Sequence, residues 1–415
     1  MTENPVSHQV QLDIAQLRRQ FPLLQRQYRN RPLVFLDGPA GTQVPESVIE
    51  AGANYYRQSN ANLHGLFVTS QESDALVDQF RQKMAHFLGA PSPHCISYGS
   101  NMTTLNFSLS KAVGRALQTG DEILISQLDH EANRGPWLAL REKGIVVREI
   151  RLQNNGELDY QDFEEKINER TRLVALGFAS NIFGTVNELA KVRQLTHQYN
   201  AWMLVDAVHA APHFTLDVQA LDCDFLLCSV YKFYGPHVGV LYAKPGLLDR
   251  LQPDCLRTQY QTAPYRLETG TFNHAALAGS VAAIDFIADL GNGETERQRL
   301  LSAMQAIQGR EREVILKLYE GLQQLPGVEV VGPNFDSIMR SPTLAFTVKN
   351  KSPLEVCQYF SDRNICAWAG HFYAIRAIEV LGLSAKGGVT RVGVNVYNTE
   401  EEIAYTLEVL QEMLG

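Results

Sequence analysis

Residues 202–209 have the sequence WMLVDAVH, which contains an apolar run that ends on the carboxylate of Asp206. Residues 225–232 have the sequence FLLCSVYK, a second apolar run, which ends on the amine of Lys232. Continuous apolar runs of this kind are typical of strands that are buried on both faces. An acid and an amine at the ends of two such strands suit pyridoxal phosphate (PLP). The amine can form a Schiff base, and the acid can keep the pyridine nitrogen protonated.

Two hydroxyl side chains, Ser229 and Tyr231, lie beside the amine in the sequence. The phosphate of PLP needs hydrogen-bond donors of this kind. Taken alone, a lysine after an apolar run is more often a surface residue at a strand end, and an aspartate there is more often a helix N-cap. The pair, together with the hydroxyls, favours a cofactor site.

The same pattern extends over residues 95–243, where apolar runs alternate with stretches of helical spacing. This alternation predicts an α/β fold in which a mostly parallel, seven-stranded sheet lies between helices. Ligands of such sheets bind beyond the carboxyl ends of the strands, which is where Asp206 and Lys232 stand. The other five predicted strands are residues 95–98, 122–126, 146–150, 173–178 and 240–243.

The pattern changes near residue 285 and predicts a smaller α+β domain. A long helix near residues 299–325 is followed by apolar strands at 343–348 and 390–397, and the last helix begins with a capping pattern. The predicted domains are an N-terminal segment that packs with the small domain (1–25), a large PLP-binding domain (26–285) and a small C-terminal domain (286–415).

The composition is that of an acidic chain of 415 residues with a formal net charge of −8. This charge argues against nucleic acid as the main partner. No apolar stretch is long enough for a transmembrane helix, and the first residues lack the pattern of a signal peptide. The six cysteines form no CxxC pair, and no His/Cys cluster has metal-ligand spacing. We therefore expect a cytoplasmic enzyme with no membrane contact, disulfide framework or metal site.

With these residues in view, the chain resembles the class V aminotransferase family, PLP fold type I, and within it the cysteine desulfurases and selenocysteine lyases. The resemblance extends from residues 35–37 to residues 397–399. It includes the segments LDHEAN (128–133), ASNIFG (179–184) and ETGTFNH (268–274) in the expected order. The family's fold is a large domain with a mostly parallel sheet and a smaller C-terminal domain, which agrees with the pattern above.

The resemblance implies roles for five residues around the cofactor ring. Lys232 would carry the Schiff base and then move the proton at the substrate α-carbon. Asp206 would pair with the pyridinium nitrogen, and His130 would stack on the ring. Asn181 would lie near the phenolic oxygen and the substrate. His209 stands where the desulfurases usually have a glutamine that donates to the same oxygen.

The resemblance also implies a phosphate site made of Ser229, Tyr231 and the turn that contains Ser100, Asn101 and Met102. This turn lies between a predicted strand and a predicted helix, so its amides and the helix dipole suit an anion. Thr271 matches a threonine that reaches the phosphate of the neighbouring subunit, which implies a homodimer.

On the substrate side, the resemblance implies that Arg391 grips the α-carboxylate, since a guanidinium can pair with both oxygens. His371 and Tyr373 are further candidates for substrate binding. Tyr373 stands where the desulfurases carry their catalytic cysteine, and a phenol cannot take up sulfur as a persulfide. Trp368 and His64 stand where arginines would be expected.

Two cysteines, Cys366 and Cys255, are weaker candidates for a nucleophile. We therefore predict a PLP-dependent enzyme that acts on an α-amino acid, with a C–S or C–Se lyase reaction that uses no persulfide cysteine and no sulfur-acceptor protein. A class V aminotransferase and an amino-acid epimerase are the alternatives, and a non-catalytic PLP-fold binding protein is less favoured. The identity of the amino acid stays open.

Overall fold

The computed structural model describes residues 10–336 and 339–415, so residues 1–9 of the predicted N-terminal segment lie outside the described part. A seven-stranded sheet forms the centre of the larger part of the molecule. Its strands are β4 (Ile96–Gly99), β5 (Glu122–Ser126), β6 (Val146–Ile150), β7 (Thr171–Gly177), β8 (Trp202–Asp206), β9 (Phe225–Ser229) and β10 (Gly239–Ala243).

The strand order is β4-β10-β9-β8-β7-β5-β6. The five strands from β9 to β6 are parallel to one another, whereas β10 runs antiparallel to both β9 and β4. The predicted α/β fold with a mostly parallel seven-stranded sheet is confirmed. It also follows that the polar residues after β5, β7, β8 and β9 meet at one edge of the sheet.

Both faces of this sheet are buried, as the continuous apolar runs predict. In β9, Leu226 and Cys228 pack into one hydrophobic core, while Phe225 and Leu227 pack into the core on the other face. The covering helices are α2 (Glu46–Gln58), α3 (Val68–Leu88), α4 (Met102–Ala116), α5 (Glu131–Leu138), α6 (Tyr160–Lys166), α7 (Leu189–Gln198), α8 (Val218–Leu221) and α9 (His274–Asp289).

The C-terminal part is built on a four-stranded antiparallel sheet, whose strands lie in the spatial order Val328–Val331, Thr343–Val348, Val389–Gly393 and Trp368–Gly370. Thr295 and Gln298 form a capping box that begins its long helix three residues before the predicted start. The strands are β11 (Val328–Val331), β12 (Thr343–Val348), β13 (Ile365–Cys366), β14 (Trp368–Gly370) and β15 (Val389–Gly393). The helices are α10 (Glu296–Gln324), α11 (Pro353–Ser361), α12 (Ile375–Val380) and α13 (Glu400–Leu414).

The N-terminal elements contact the C-terminal part. They are α1 (Ile14–Arg19), β1 (Gln27–Tyr28), β2 (Arg31–Pro32) and β3 (Val34–Phe35). β3 pairs with β13 in parallel, and Arg18 donates to the Tyr397 carbonyl at 2.6 Å. The contact with the small domain therefore extends beyond residue 25, and the domain boundaries themselves stay a prediction. Within residues 10–336 and 339–415, no helix is long and apolar enough to cross a lipid bilayer.

Candidate active site

A cavity of about 360 Å³ opens at the carboxyl edge of the large sheet. It lies where β7, β8 and β9 end and where the small domain packs against them, as expected for parallel α/β sheets. The structure brings most of the predicted site residues together in its lining. They are Asn101, Met102, His130, Asn181, Asp206, His209, Ser229, Tyr231, Lys232, Tyr373 and Arg391.

Lys232 lies in the turn after β9, and its side chain is buried. Its Nζ donates to the carbonyl oxygens of Pro39 and Ala40, at 2.5 and 3.1 Å. Burial, and then the positive charge of Arg391, lower the pKa of this amine to about 7, against the opposing effect of Asp206. A substantial fraction of the amine is therefore neutral near neutral pH, as a nucleophile requires.

Asp206 is the last residue of β8, and its Oδ1 accepts a hydrogen bond from the backbone N–H of Val208 at 3.0 Å. Burial, with a contribution from the nearby carboxylate of Asp129, raises the pKa of Asp206 to about 7. Because this carboxylate is buried, little water stabilises its charge. A cation next to it would therefore favour its charged form. Asp206 is thus suited to hold a protonated ring nitrogen.

The N-terminus of α4 faces the same cavity and suits an anion. Asn101 caps the helix by accepting from the N–H of Thr104 at 2.9 Å, and Ser229 Oγ accepts from the N–H of Met102 at 3.1 Å. Gly239 permits this close approach, since a Cβ there would lie 2.2 Å from the carbonyl carbon of Asn101. Ser100 is exposed and does not line the cavity, so its part in phosphate binding stays a prediction.

His130 precedes α5 and caps it, with its Nδ1 accepting from the N–H of Ala132 at 3.0 Å. Burial, followed by the charges of Lys232 and Arg391, lowers the pKa of His130 to about 4. A neutral imidazole can stack on an aromatic ring without placing a charge against it. The ring of Tyr373 lies 5.3 Å from the imidazole, centroid to centroid, with a tilt of 36°.

Arg391 is buried on β15, and its Nη1 donates to the carbonyl oxygen of Asn181 at 2.9 Å. Its guanidinium carbon lies 4.0 Å from the ring centroid of Phe372. The Nε of Arg391 has no hydrogen-bond partner among the described residues. A buried guanidinium with spare donors in a cavity is what a substrate carboxylate requires.

His209 lies in the turn after β8, and its Nε2 is within hydrogen-bond distance of Ser341 Oγ (3.1 Å) and Thr343 Oγ1 (3.0 Å). Its ring is 5.4 Å from that of His213, whose Nδ1 lies 2.8 Å from Oε2 of Glu311 on α10. All five of these side chains are buried. The sequence indicated His209 but not the polar residues around it, which lie up to 134 positions away along the chain.

Two residues that sequence reasoning missed also line the cavity. Asp129 is buried directly before His130, and its Oδ1 accepts from the N–H of Gly177 at 2.8 Å. Phe372, beside Tyr373, accepts at its carbonyl oxygen a hydrogen bond from Nδ2 of Asn181, at 2.9 Å. Their positions next to two candidates were the only signal in the sequence.

Three other candidates lie outside this lining. Thr271 lines a different cavity, of about 430 Å³, together with Tyr55 and His274. His371 is exposed, and its Nδ1 accepts from the N–H of Tyr373 at 3.1 Å, so it contacts the cavity wall from outside. The ring of His64 is exposed and lies 3.2 Å from Asp74.

The two candidate nucleophiles among the cysteines, Cys366 and Cys255, lie outside the lining of this cavity. None of the described residues in its lining is a cysteine. Burial raises the pKa of Cys366 to about 11, so this thiol is protonated near neutral pH. Cys255 donates to Oε1 of Gln261 at 3.2 Å in a different part of the large domain. Within residues 10–336 and 339–415, no group of three or more His, Cys, Asp or Glu side chains is placed to hold a metal ion.

This combination of fold and site matches known proteins over nearly the whole chain. Residues 34–405 match the family model described as aminotransferase class-V. The chain belongs to the class V aminotransferase family. Among curated relatives, a probable cysteine desulfurase of Halalkalibacterium halodurans is 31% identical over 97% of this chain and 99% of the relative. A cysteine desulfurase of Synechococcus elongatus is 32% identical over 95% of this chain, which spans 62% of that relative's length.

Solved structures show the same relationship. The cysteine desulfurase CsdA of Escherichia coli, in its S-sulfonic acid form, is 29% identical with a TM-score of 0.85 over 97% of this chain and all of that chain. A mutant of the protein C-DES, with glycine covalently linked to its PLP cofactor, shares the fold at 21% identity and a TM-score of 0.79, over 96% and 99% of the two chains. This class V aminotransferase family member is a PLP-dependent enzyme, and the predicted cofactor is confirmed.

The residues of the cavity fit this cofactor. Lys232 would offer a buried amine to its aldehyde, Asp206 would pair with its ring nitrogen, and the N-terminus of α4 would hold its phosphate. His130 offers a neutral ring for stacking. The cofactor, when bound, supplies an electron sink for the bonds at the substrate α-carbon.

Proposed function

We propose that this class V enzyme removes a sulfur or selenium substituent from the β-carbon of an α-amino acid, without forming a persulfide on the protein. One observation carries the proposal. The cavity combines Lys232, Asp206 and Arg391, whereas none of its described lining residues is a cysteine.

The chain's own residues divide the work in this proposal. Arg391 holds the α-carboxylate through its spare guanidinium donors, which orients the α-carbon in the cavity. The amine of Lys232 takes the α-proton, and its lowered pKa suits proton transfer near neutral pH. Asp206 keeps a negative charge against the ring nitrogen. His130 and the packed small domain limit the access of water.

The test is a screen of the purified holoenzyme with cysteine, selenocysteine and S-substituted cysteines. We expect release of the sulfur or selenium group together with pyruvate. Transfer of the amino group to a keto acid would instead indicate an aminotransferase, and exchange of the α-proton with loss of optical purity would indicate an epimerase. If no amino acid changes the absorbance of the bound cofactor, the protein is a binding module and the proposal is wrong.

Two variants test the absence of a persulfide. Cys366→Ala and Cys255→Ala should each keep wild-type turnover, because neither thiol lies in the lining of the cavity. A cysteine variant that loses turnover, or an alkylatable persulfide trapped on either thiol, would restore the desulfurase mechanism. A sulfur-acceptor protein is not needed in this proposal, since no sulfur stays on the enzyme.

The proposed enzyme is a cytoplasmic homodimer. All six cysteines lie in the described ranges and are free thiols, which supports a reducing compartment. Thr271 lines a different cavity from the one that Lys232 lines. This supports the proposal that Thr271 contributes to the active site of a second copy of the chain. Sedimentation of the holoenzyme and cell fractionation test the two statements.

A further inference from the structure

The wall of the cavity next to Arg391 is aromatic. Trp368 on β14 pairs with Arg391 on β15 in the antiparallel sheet. Residues directly opposite each other in such a pair point to the same face, with Cβ atoms about 4.5–5.5 Å apart. Trp368 is 52% exposed, although it lines the cavity. It therefore stands directly beside the group that would hold a substrate carboxylate.

Two more rings complete this wall, and hydrogen bonds fix the backbone that carries them. Phe372 and Tyr373 have φ values of +51° and +60°, which residues with side chains rarely adopt. The Phe372 carbonyl accepts from Nδ2 of Asn181 at 2.9 Å, and the Tyr373 carbonyl accepts from the N–H of Glu131 at 2.7 Å. A strained backbone held by specific partners at a cavity is a feature of functional sites.

The wall carries little charge of its own. Among the described lining residues that the small domain contributes, Arg391 is the charged side chain, and the others are Trp368, Phe372 and Tyr373. An anchored carboxylate leaves the rest of the substrate to contact these rings. Aromatic walls favour apolar and aromatic groups, which bury area against them without losing hydrogen bonds.

We propose that Trp368, Phe372 and Tyr373 form a subsite for an apolar group on the sulfur or selenium of the substrate. The substrate class is then cysteine or selenocysteine substituted at sulfur or selenium with an alkyl or aryl group, which rests on the proposed function. Lys232 takes the α-proton, the bond from Cβ to sulfur breaks, and its electron pair leaves with sulfur, which is released as a thiol. The remaining three-carbon unit takes up one water to give pyruvate and ammonium, so no oxidant or reductant is needed.

A binding experiment tests the subsite without turnover. Phenylalanine, alanine and aspartate have no leaving group, and their dissociation constants are measured by titration of the holoenzyme while the absorbance of the bound cofactor is followed. We expect phenylalanine to bind roughly tenfold more tightly than alanine, and aspartate to bind most weakly. Equal affinities, or preference for aspartate, would overturn the subsite while leaving the proposed function in place.

Variants assign the effect to the wall. Trp368→Ser should reduce the preference for phenylalanine over alanine to within about threefold, because phenylalanine loses more affinity than alanine does. The control is Trp202→Phe, a change at the amino end of β8 that should keep the preference. Trp368→Phe should also keep it, which separates loss of the aromatic wall from misfolding. Preference retained in Trp368→Ser would overturn the assignment.

A turnover experiment tests the substrate class. S-Benzylcysteine should give thiol and pyruvate in equal amounts, with a kcat/KM roughly tenfold above that of S-methylcysteine, while S-carboxymethylcysteine reacts more slowly than both. In Trp368→Ser, the differences in kcat/KM among these three substrates should become smaller, because the KM for S-benzylcysteine rises. Tight binding of S-benzylcysteine without release of thiol would overturn the substrate class, and absence of any response to amino acids would overturn the proposed function as well.

Discussion

Lys232 and Asp206 are a buried amine and a buried acid whose pKa values have both moved to about 7, from opposite directions. Burial is the largest cause in each case, because it disfavours the charged form of either group. Their mutual attraction opposes both shifts but does not cancel them. The apoprotein therefore has a neutral amine available for reaction near pH 7. The charged form of Asp206 is stabilised when a cation lies next to it.

The pH dependence of cofactor attachment follows from the lowered pKa of Lys232. Below about pH 7 the amine is protonated and cannot attack an aldehyde, and above it the neutral form dominates. The rate at which apoprotein and pyridoxal phosphate develop the absorbance of the lysine-bound form should thus rise through pH 7 and then level off. A rate that keeps rising towards pH 10.5, the ordinary pKa of lysine, would contradict this assignment.

Lys232→Ala is the matched variant for this measurement. It should take up the cofactor without developing that absorbance at any pH, and borohydride should fix no cofactor to the chain. Trapped cofactor that maps to another lysine would show that Lys232 is misassigned.

Asp206→Asn tests the acid. The amide keeps the size of the side chain but cannot hold a positive charge against the ring nitrogen. We expect the variant to retain cofactor, because Lys232 and the N-terminus of α4 are unchanged, and to lose turnover by about 100-fold or more. Absorbance measures the first effect and kcat measures the second. Turnover near the wild-type value would show that Asp206 does not serve the ring nitrogen.

At the scale of elements, the turn after β8 is joined to α10 through buried polar groups. His213 in this turn lies against Glu311 on α10, at 2.8 Å, and the ring of His213 contacts that of His209 in the cavity lining. Burial raises the pKa of Glu311, with His213 opposing the shift. A buried polar atom that loses its partner costs free energy, so the contact with Glu311 fixes His213. Since His213 packs against His209, this contact also links the position of His209 to α10.

Glu311→Leu should lower the free energy of unfolding by about 1–3 kcal/mol, since it leaves Nδ1 of His213 buried without its partner. Glu311→Gln keeps an oxygen acceptor and should lose less than about 1 kcal/mol. Denaturant unfolding of both apoproteins measures the difference. Equal stability of the two variants would mean that His213 does not depend on this acceptor.

The sequence predicts the central elements well because their burial is continuous. β8 and β9 coincide with the two apolar runs that predict buried strands. The polar residues at their carboxyl ends, Asp206 and Ser229, line the cavity. β3 and β13 have only two residues each, so no periodicity could pair them. The alignment of Trp368 opposite Arg391 depends on strand register, which the sequence alone does not specify.

At the scale of the whole molecule, the site candidates fall into two cavities. Lys232, Asp206 and Arg391 line one, while Thr271 lines another with Tyr55. The resemblance to the desulfurases assigns Thr271 to the site of a neighbouring subunit, and this assignment stays a prediction. The pattern of residues alone could not predict which side chains line each cavity, because this depends on how the domains pack.

A mixing experiment tests whether Thr271 acts across a dimer. Lys232→Ala and Thr271→Ala homodimers should each be weakly active or inactive, since each lacks one part of every site. If Thr271 serves the partner's site, each mixed dimer contains one site with both residues intact. Random exchange of subunits then restores about a quarter of the sites. If Thr271 acts within its own chain, no site in a mixed dimer is intact, and mixing leaves activity at the mean of the two variants.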